Sequence, residues 1–411
     1  MSHFARTIAI VLHDLPLGGS ERIAVRLANR WAASGRRVTI FCGSRQGPLA
    51  AMIDDKVEVV ECDPPIPRGR GSRQQLGHAT AAYVAEHRPD ILFVPGNYHW
   101  PILPLLDQLP AEQRPGVVAQ IGTPLYRHGR GALAQIPYNL RTRRQFRQVD
   151  QAISLSPSMT RDADKALGRR MTQCVRLPAL DDDDVPFARP TPTGEKIILA
   201  AGRLVGEKGF DVALRAFARL DDPAARLVIV GEGEDRAKLT ALAQELGIAD
   251  RVRLPGYVPD IRPWLETARA FLLTSYYEGY AAVIVEALGA GRPVVSTDCT
   301  PAARELLAHA AAGRVAPIGD VEGLAEGLRA VLSQPAPDPR VLADMVADYR
   351  IGPISDSYLR IFDTVAAKRA EAASPSSLTA LAWPGRAFAI PAQRPAPATP
   401  ATPQSAWRRS A

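Results

Sequence analysis

Two glutamates and two cations stand out for the chemistry they could do in this 411-residue chain. Glu278 and Glu286 lie in TSYYEGYAAVIVEALGAGRPVVST (274–297), with seven residues between them. Arg203 and Lys208 lie in GRLVGEKGFD (202–211). Glu278 sits beside Gly279, where the chain must turn. Glu286 falls on an otherwise apolar helical pattern, two turns in, roughly 9 Å along the axis. A carboxylate among Val283, Ile284, Val285, Ala287 and Leu288 is costly unless it is paired or hydrogen-bonded. The start of such a helix offers N–H groups and a positive dipole end to an anion, and the flanking carboxylates can accept from hydroxyls. The combination suits a ligand that is both phosphate and polyol, such as a nucleotide sugar. The plain alternative for Glu286 alone is a snorkelling side chain or an ion pair with arginine.

These residues need strands to hold them. Ala270–Leu273 reads as a strand leading into the glutamate pair, and 293–295 as one leading out. Lys196–Ala200 reads as the strand before Arg203, which puts Arg203 and Lys208 at the carboxyl end where parallel sheets bind ligands. Further strands are expected at Thr7–His13, Val38–Phe41, Val57–Val60, Asp90–Val94, Val117–Ile121, Asp150–Leu155, Val175–Leu177 and Leu227–Val230. Helices are expected at Ser72–His87, after Ser156-Pro157, and from 354 to 365. After the first strand comes Gly18-Gly19, then a helix with Ser20 as its cap and Ile23, Leu27 and Trp31 on one face. This is neither a GxGxxG fingerprint nor a P-loop. Strand–helix alternation over this length implies α/β architecture with covered parallel sheets.

The glutamate pair, with Gly279, Tyr280, Ala287, Gly291, Arg292, Pro293, Val294 and Ser296-Thr297-Asp298 around it, resembles the motif of retaining glycosyltransferases of family 4, which have the GT-B fold. GRLVGEKGFD resembles that family's donor-diphosphate motif, and PLGGSERIAVRLANRWAASGRRVTIF (16–41) its opening. The resemblance spans about residues 5–368. It implies two Rossmann-like parallel-sheet domains facing a central cleft, with a nucleotide-sugar donor (UDP or GDP) on the second and a saccharide or lipid-linked acceptor on the first. It implies that Arg203, Lys208 and Glu278 act in catalysis. It places Gly18, Gly19, Gly256, Gly279, Tyr280, Ala281, Ala282 and Glu286 at the donor as well, Glu286 on the ribose and Glu278 on the sugar. Sugar transfer would retain anomeric configuration and need no metal or cofactor. Two departures are visible. Ala281 stands where the family more often has Gly. Gly122-Thr123-Pro124 stands where many members have a histidine, for which His13, His99 and His128 are the nearby alternatives, each also readable as an ordinary loop or surface histidine.

Composition narrows the class. Hydrophobic content of 46% and charged content of 23% are ordinary for a globular protein. Cys42, Cys62, Cys174 and Cys299 are scattered, which argues for reduced cysteines and no structural zinc, and the N-terminus shows no secretory pattern, so a cytoplasmic location is expected. Residues 1–180 hold 24 Lys+Arg against 14 Asp+Glu, a surplus of ten; with +7 overall, the remainder carries −3. A basic first half favours an anionic partner; the alternative is an arginine-rich composition set by a GC-rich genome. Arg127, Arg130, Arg141, Arg143, Arg144 and Arg147, interleaved with Tyr126, Tyr138 and Phe146, read either as a solvated helix face or as a surface for anionic membrane or a lipid-linked acceptor. No nucleic-acid motif accompanies them. Asp181–Asp184 precedes a proline-rich stretch and reads as an exposed hinge rather than a metal-binding DxD.

The expected layout is an acceptor domain over 1–180, a linker over 181–195, a donor domain over 196–350, a helix over 351–370 crossing back to the first domain, and a disordered Pro/Ala-rich tail over 371–411 with Trp383, Phe388 and Trp407. The function that follows is sugar transfer in bacterial cell-envelope polysaccharide or lipopolysaccharide synthesis. The alternatives are a non-catalytic nucleotide-sugar-binding subunit, motivated by the missing histidine, and a GT-B sugar-nucleotide epimerase.

Overall fold

The computed structural model describes residues 4–16, 18–126, 131–184, 194–373 and, in backbone only, 407–409. Arg127, His128, Arg130, Trp383, Phe388 and most of the expected linker and tail lie outside the described residues.

The first half runs β1 (Thr7–Leu12), α1 (Gly19–Ala33), β2 (Arg37–Cys42), β3 (Glu58–Cys62), α2 (Ser72–His87), β4 (Ile91–Val94), β5 (Gly116–Ile121), α3 (Ala132–Gln145), β6 (Gln151–Ser154), α4 (Pro157–Leu167) and β7 (Thr172–Cys174). The second runs β8 (Lys196–Ala201), α5 (Phe210–Ala218), β9 (Ala225–Val230), α6 (Arg236–Glu245), β10 (Val252–Gly256), α7 (Arg262–Thr267), β11 (Ala270–Leu273), α8 (Ala282–Gly289), β12 (Val294–Thr297), α9 (Pro301–Leu306), β13 (Gly313–Ala316), α10 (Val321–Ser333) and α11 (Pro339–Asp344). The long helix α12 (Ile351–Ala373) and a short strand β14 (Trp407–Arg409) end the chain. One sheet has the order β14-β3-β2-β1-β4-β5-β6-β7 and the other β10-β9-β8-β11-β12-β13. β1 to β5 pair in parallel, as does the whole second sheet. β14 pairs antiparallel with β3.

Packing divides the chain into two compact units: residues 1–120, 136–152 and 358–411 in one, 121–135 and 153–357 in the other. This partition differs from the expected break at 181–195. Residues before that break are fastened to the second unit: Leu180 bridges Arg350, and Arg176 lies over the Tyr349 ring, 5.1 Å from its centroid. The acidic run is pinned rather than free. Arg350 donates to the carbonyls of Asp181, Asp182 and Asp184, Arg262 pairs with the Asp181 and Asp184 carboxylates, and the Gly352 N–H donates to Asp182.

In the first unit Trp31, Phe93, Tyr358 and Phe362 form one aromatic cluster, with Trp31 and Phe362 centroids 5.0 Å apart. The later part of α12 is thus built into this unit. Arg36–Asp363 and Arg369–Asp150 also hold it. Fully burying one large apolar side chain contributes about 1.5–3 kcal/mol, whereas a solvent-accessible ion pair gives about 1 kcal/mol or less. Tyr358 and Phe362, both fully buried, therefore dominate the docking.

Other local expectations shift. The helix after Gly18-Gly19 is capped at Gly18, not Ser20, and it starts at Gly19. The strand expected at Val175–Leu177 forms three residues earlier, at Thr172–Cys174. α8 begins at Ala282, so Glu286 stands about one turn in, not two. Within the tail expected to lack structure, 407–409 adds an edge strand.

Candidate functional site

The second sheet turns at its topological switch point. From β8 the chain goes outward to β9 and β10, then returns to β11 on the other side of β8. Loops leaving neighbouring strands in opposite directions open a crevice at their carboxyl ends, where α/β proteins bind ligands. The loop after β8 carries Arg203 and Lys208, and the loop after β11 carries Glu278.

These loops meet. Lys208 Nζ donates to Glu278 Oε1 at 2.6 Å, with the two side chains 19% and 15% exposed. The Ser275 hydroxyl donates to the same oxygen at 2.7 Å, and the Glu278 N–H donates to the Cys299 carbonyl. Thr274 Oγ1 donates to the Lys208 carbonyl, and Thr297 Oγ1 to the Ser275 carbonyl. Gly209 permits this approach: with φ at +61°, a Cβ there would lie 2.3 Å from the Thr274 carbonyl oxygen. Arg203 is exposed at the head of the same loop. Burial pushes the Cys299 thiol up to about 11, which leaves it a poor nucleophile beside this pair.

Beyond Glu278 the chain turns through Gly279. A Cβ there would lie 2.6 Å from the Gly122 carbonyl oxygen and 3.1 Å from Thr123 Cγ2. The Gly122-Thr123 turn, where the resemblance would place a histidine, thus rests directly on the glutamate turn. Tyr280 is buried, its hydroxyl 2.8 Å from that of Tyr349, and burial drives its phenol well above the usual value. Ala281 precedes α8 with φ 61° and ψ 58°, a left-handed conformation that costs a residue with a Cβ about 1–2 kcal/mol. That is the physical content of the family's glycine preference here, and the turn is made regardless. The first N–H groups of α8 lack partners within the helix. Glu286 is half-buried on α8.

Gly256 ends β10 with φ +97°, and its carbonyl accepts from the Gly231 N–H. Gly18 and Gly19 belong to the first unit, at the start of α1. His13 and His99, expected as surface or loop residues, are fully buried there. Sequence reasoning missed the hydroxyl scaffold of Thr274, Ser275 and Thr297. Its signal was the run of Ser and Thr at the ends of two apolar strands. Among the described residues no group of three or more His, Cys, Asp or Glu is placed to hold a metal ion, and no helix is long and apolar enough to cross a membrane.

Two parallel-sheet Rossmann-like units, the second with cations and carboxylates at its switch point, define the GT-B class of fold. Residues 17–178 match the family model described as Glycosyltransferase Family 4, and residues 181–345 that described as Glycosyl transferases group 1. The chain belongs to this glycosyltransferase family. Over 175 residues it is 32% identical to the lipopolysaccharide core biosynthesis glycosyltransferase LpsE of Rhizobium meliloti, covering 42% of this chain and 51% of that protein. With LpsD of the same organism it shares 31% over 191 residues, covering 45% and 55%. The chain thus spans about half the length of the curated relatives it matches. Among solved structures it resembles the lipopolysaccharide outer core galactosyltransferase WaaB in its apo form, with TM-score 0.67, 19% identity, 87% of this chain and 99% of that one. It also resembles Anabaena HepE in complex with UDP and glucose, with TM-score 0.66, 18% identity, 91% of this chain and 99% of that one. At these identities the likeness is one of fold.

Proposed function

We propose that this protein transfers a sugar from a nucleotide-sugar donor to an acceptor hydroxyl, with retention at the anomeric carbon, in the synthesis of a cell-envelope polysaccharide or lipopolysaccharide. The observation that carries it is the Lys208–Glu278 pair at the switch point of the second sheet. Departure of a nucleoside diphosphate develops negative charge, and fixed cations stabilise that charge where it appears. Lys208, Arg203 and the N–H groups from Tyr280 to Ala282 take that role. Glu278 holds sugar hydroxyls and Glu286 the ribose. With these groups carrying the diphosphate charge, the reaction proceeds without a metal.

The lipopolysaccharide core role of LpsE and LpsD and the UDP bound by HepE support the envelope setting and the donor class. A thermal-shift panel of UDP, GDP, ADP and their sugar conjugates, run in EDTA, tests the site. A ligand that binds only the folded state raises the midpoint. One nucleotide family should stabilise the wild type, and Glu286→Ala should lose the effect. No stabilisation by any nucleotide, in well-folded protein, refutes the assignment.

We also propose that α3 meets anionic lipid. Leu133, Ile136 and Leu140, spaced for one helix face, are 86%, 58% and 58% exposed, and Arg141, Arg143, Arg144 and Arg147 are exposed beside them. Apolar insertion with flanking cations is the chemistry of an interfacial helix. Co-sedimentation with phosphatidylglycerol vesicles should fall at least about fivefold in Leu133→Ser/Leu140→Ser, since burying a leucine side chain contributes about 1.5–3 kcal/mol. Equal sedimentation of variant and wild type removes α3 from the contact.

A further inference from the structure

The N–H groups from Tyr280 to Ala282 lie on a strained turn. Ala281 is held at φ 61° and ψ 58°. A residue with a Cβ keeps such a backbone only where its surroundings over-determine it. The Glu278 N–H donates to the Cys299 carbonyl at 3.1 Å, and Thr300 Oγ1 to the Gly279 carbonyl at 3.2 Å. These bonds fix the backbone just before the strained residue. At Tyr280 the hold passes through a side chain: its hydroxyl lies 2.8 Å from that of Tyr349, with the ring centroids 6.3 Å apart. Both residues are buried, each 5% exposed. Two phenylalanines would fill this volume without desolvating two hydroxyls. Replacing both partners of a buried hydrogen bond by apolar groups of the same shape is close to neutral for stability. What the hydroxyl pair adds is therefore direction, since apolar contact alone tolerates a slide.

Tyr349 can serve as an anchor because it is itself tied down. Its carbonyl accepts the Leu180 N–H at 3.1 Å, and the Leu180 carbonyl accepts the Ile351 N–H at 2.9 Å. Arg176 lies over its ring. Arg350, next in the chain, donates to the carbonyls of Asp181, Asp182 and Asp184. Leu180 also reaches the other end of α8, where a Cβ on Gly289 would lie 2.7 Å from Leu180 Cδ2. The paired segments around Leu180 and Tyr349 thus hold α8 at both its ends.

We propose that Tyr349 is a positioning residue for the donor diphosphate: through its hydroxyl bond to Tyr280 it sets the turn whose N–H groups meet the phosphates. Tyr349 touches no substrate and acts through Tyr280. Donors aimed in advance at a charged group lose strength when the turn that carries them shifts. The role at the diphosphate rests on the donor reading above; the anchor itself does not.

The experiment is titration calorimetry of the full chain with UDP, GDP and ADP, each against its monophosphate. At least one diphosphate should bind wild type more tightly than its monophosphate. Tyr349→Phe should cut that preference about tenfold, as expected for weakened hydrogen bonds to a charged group, and leave the monophosphate affinity unchanged. Tyr280→Phe should do the same. Each single variant strands one buried hydroxyl and should melt lower than wild type. Tyr280→Phe/Tyr349→Phe strands none, so its melting point should return toward wild type while the preference for diphosphate stays low. Stability restored without the preference is the mark of positioning, and the double variant supplies folded protein if a single one does not. A preference unmoved in folded Tyr349→Phe, or restored together with stability in the double variant, overturns the inference and leaves the donor reading standing. No diphosphate preferred by wild type refutes the donor reading and this inference with it.

Discussion

Lys208→Ala is expected to lower kcat for sugar transfer by about a hundred- to a thousandfold, the usual cost of removing one group that stabilises developing charge. The donor KM should change far less. In the unliganded site the ammonium is already engaged: Glu278 holds it at 2.6 Å, and Ser275 holds Glu278. The ground-state diphosphate must compete with a carboxylate for Lys208, so its net gain from this cation is small. When the bond to the sugar breaks, added charge on the departing oxygen shifts that competition toward the diphosphate. An interaction made stronger in the transition state appears in kcat rather than KM. Glu278→Gln separates the two halves of the argument. It frees Lys208 from its partner, so donor binding should tighten while kcat falls through loss of the sugar contact. Steady-state kinetics on both variants is the check. A Lys208→Ala enzyme within tenfold of wild type in kcat would remove Lys208 from the chemistry.

The meeting of Lys208 and Glu278 was legible in the sequence only in outline. Each residue sits just past an apolar run that local pattern marks as a strand, and the carboxyl edge of a parallel sheet follows from strand–helix alternation. Which two strands are neighbours does not follow from local pattern. That β8 lies beside β11, skipping β9 and β10, is a property of the whole sheet, and it joins residues 70 apart in the chain. Short-range competition explains the smaller misses. Ser20 has the chemistry of a cap, but Gly18 takes the position and α1 starts one residue before Ser20. Ala281 takes a left-handed conformation that no local pattern reveals. His13 and His99 looked like loop histidines because polar residues follow β1 and β4. Only three-dimensional packing, with Tyr98 edge-on to both rings, buries them.

That burial leads to the last expectation, a loss of stability in mild acid centred on His99. Its Nε2 accepts the His13 backbone N–H at 3.1 Å, so the ring proton belongs on Nδ1, which faces the Pro95 carbonyl at 2.7 Å. A protonated ring would present two donors and lose the first bond. Burial holds this imidazole down to about 4; His13 and Arg68 add to the effect, while the Pro95 carbonyl and Asp14 oppose it. The sign follows from proton uptake. Below its ordinary value of 6.5 the unfolded histidine takes up a proton that the folded one refuses, so the stability conferred by the neutral ring is complete above 6.5 and is lost as pH falls toward 4. Moving an imidazole from 6.5 to about 4 is worth roughly 3 kcal/mol, a large part of a typical domain's stability. His13, lowered by burial in the same direction, steepens the loss. His99→Gln keeps an acceptor for the His13 N–H and a donor for Pro95 but cannot titrate. Urea unfolding between pH 7.5 and 4.5 should show the wild type losing at least about 1 kcal/mol more than His99→Gln. Parallel curves would mean that His99 stays neutral in both states or is protonated in both.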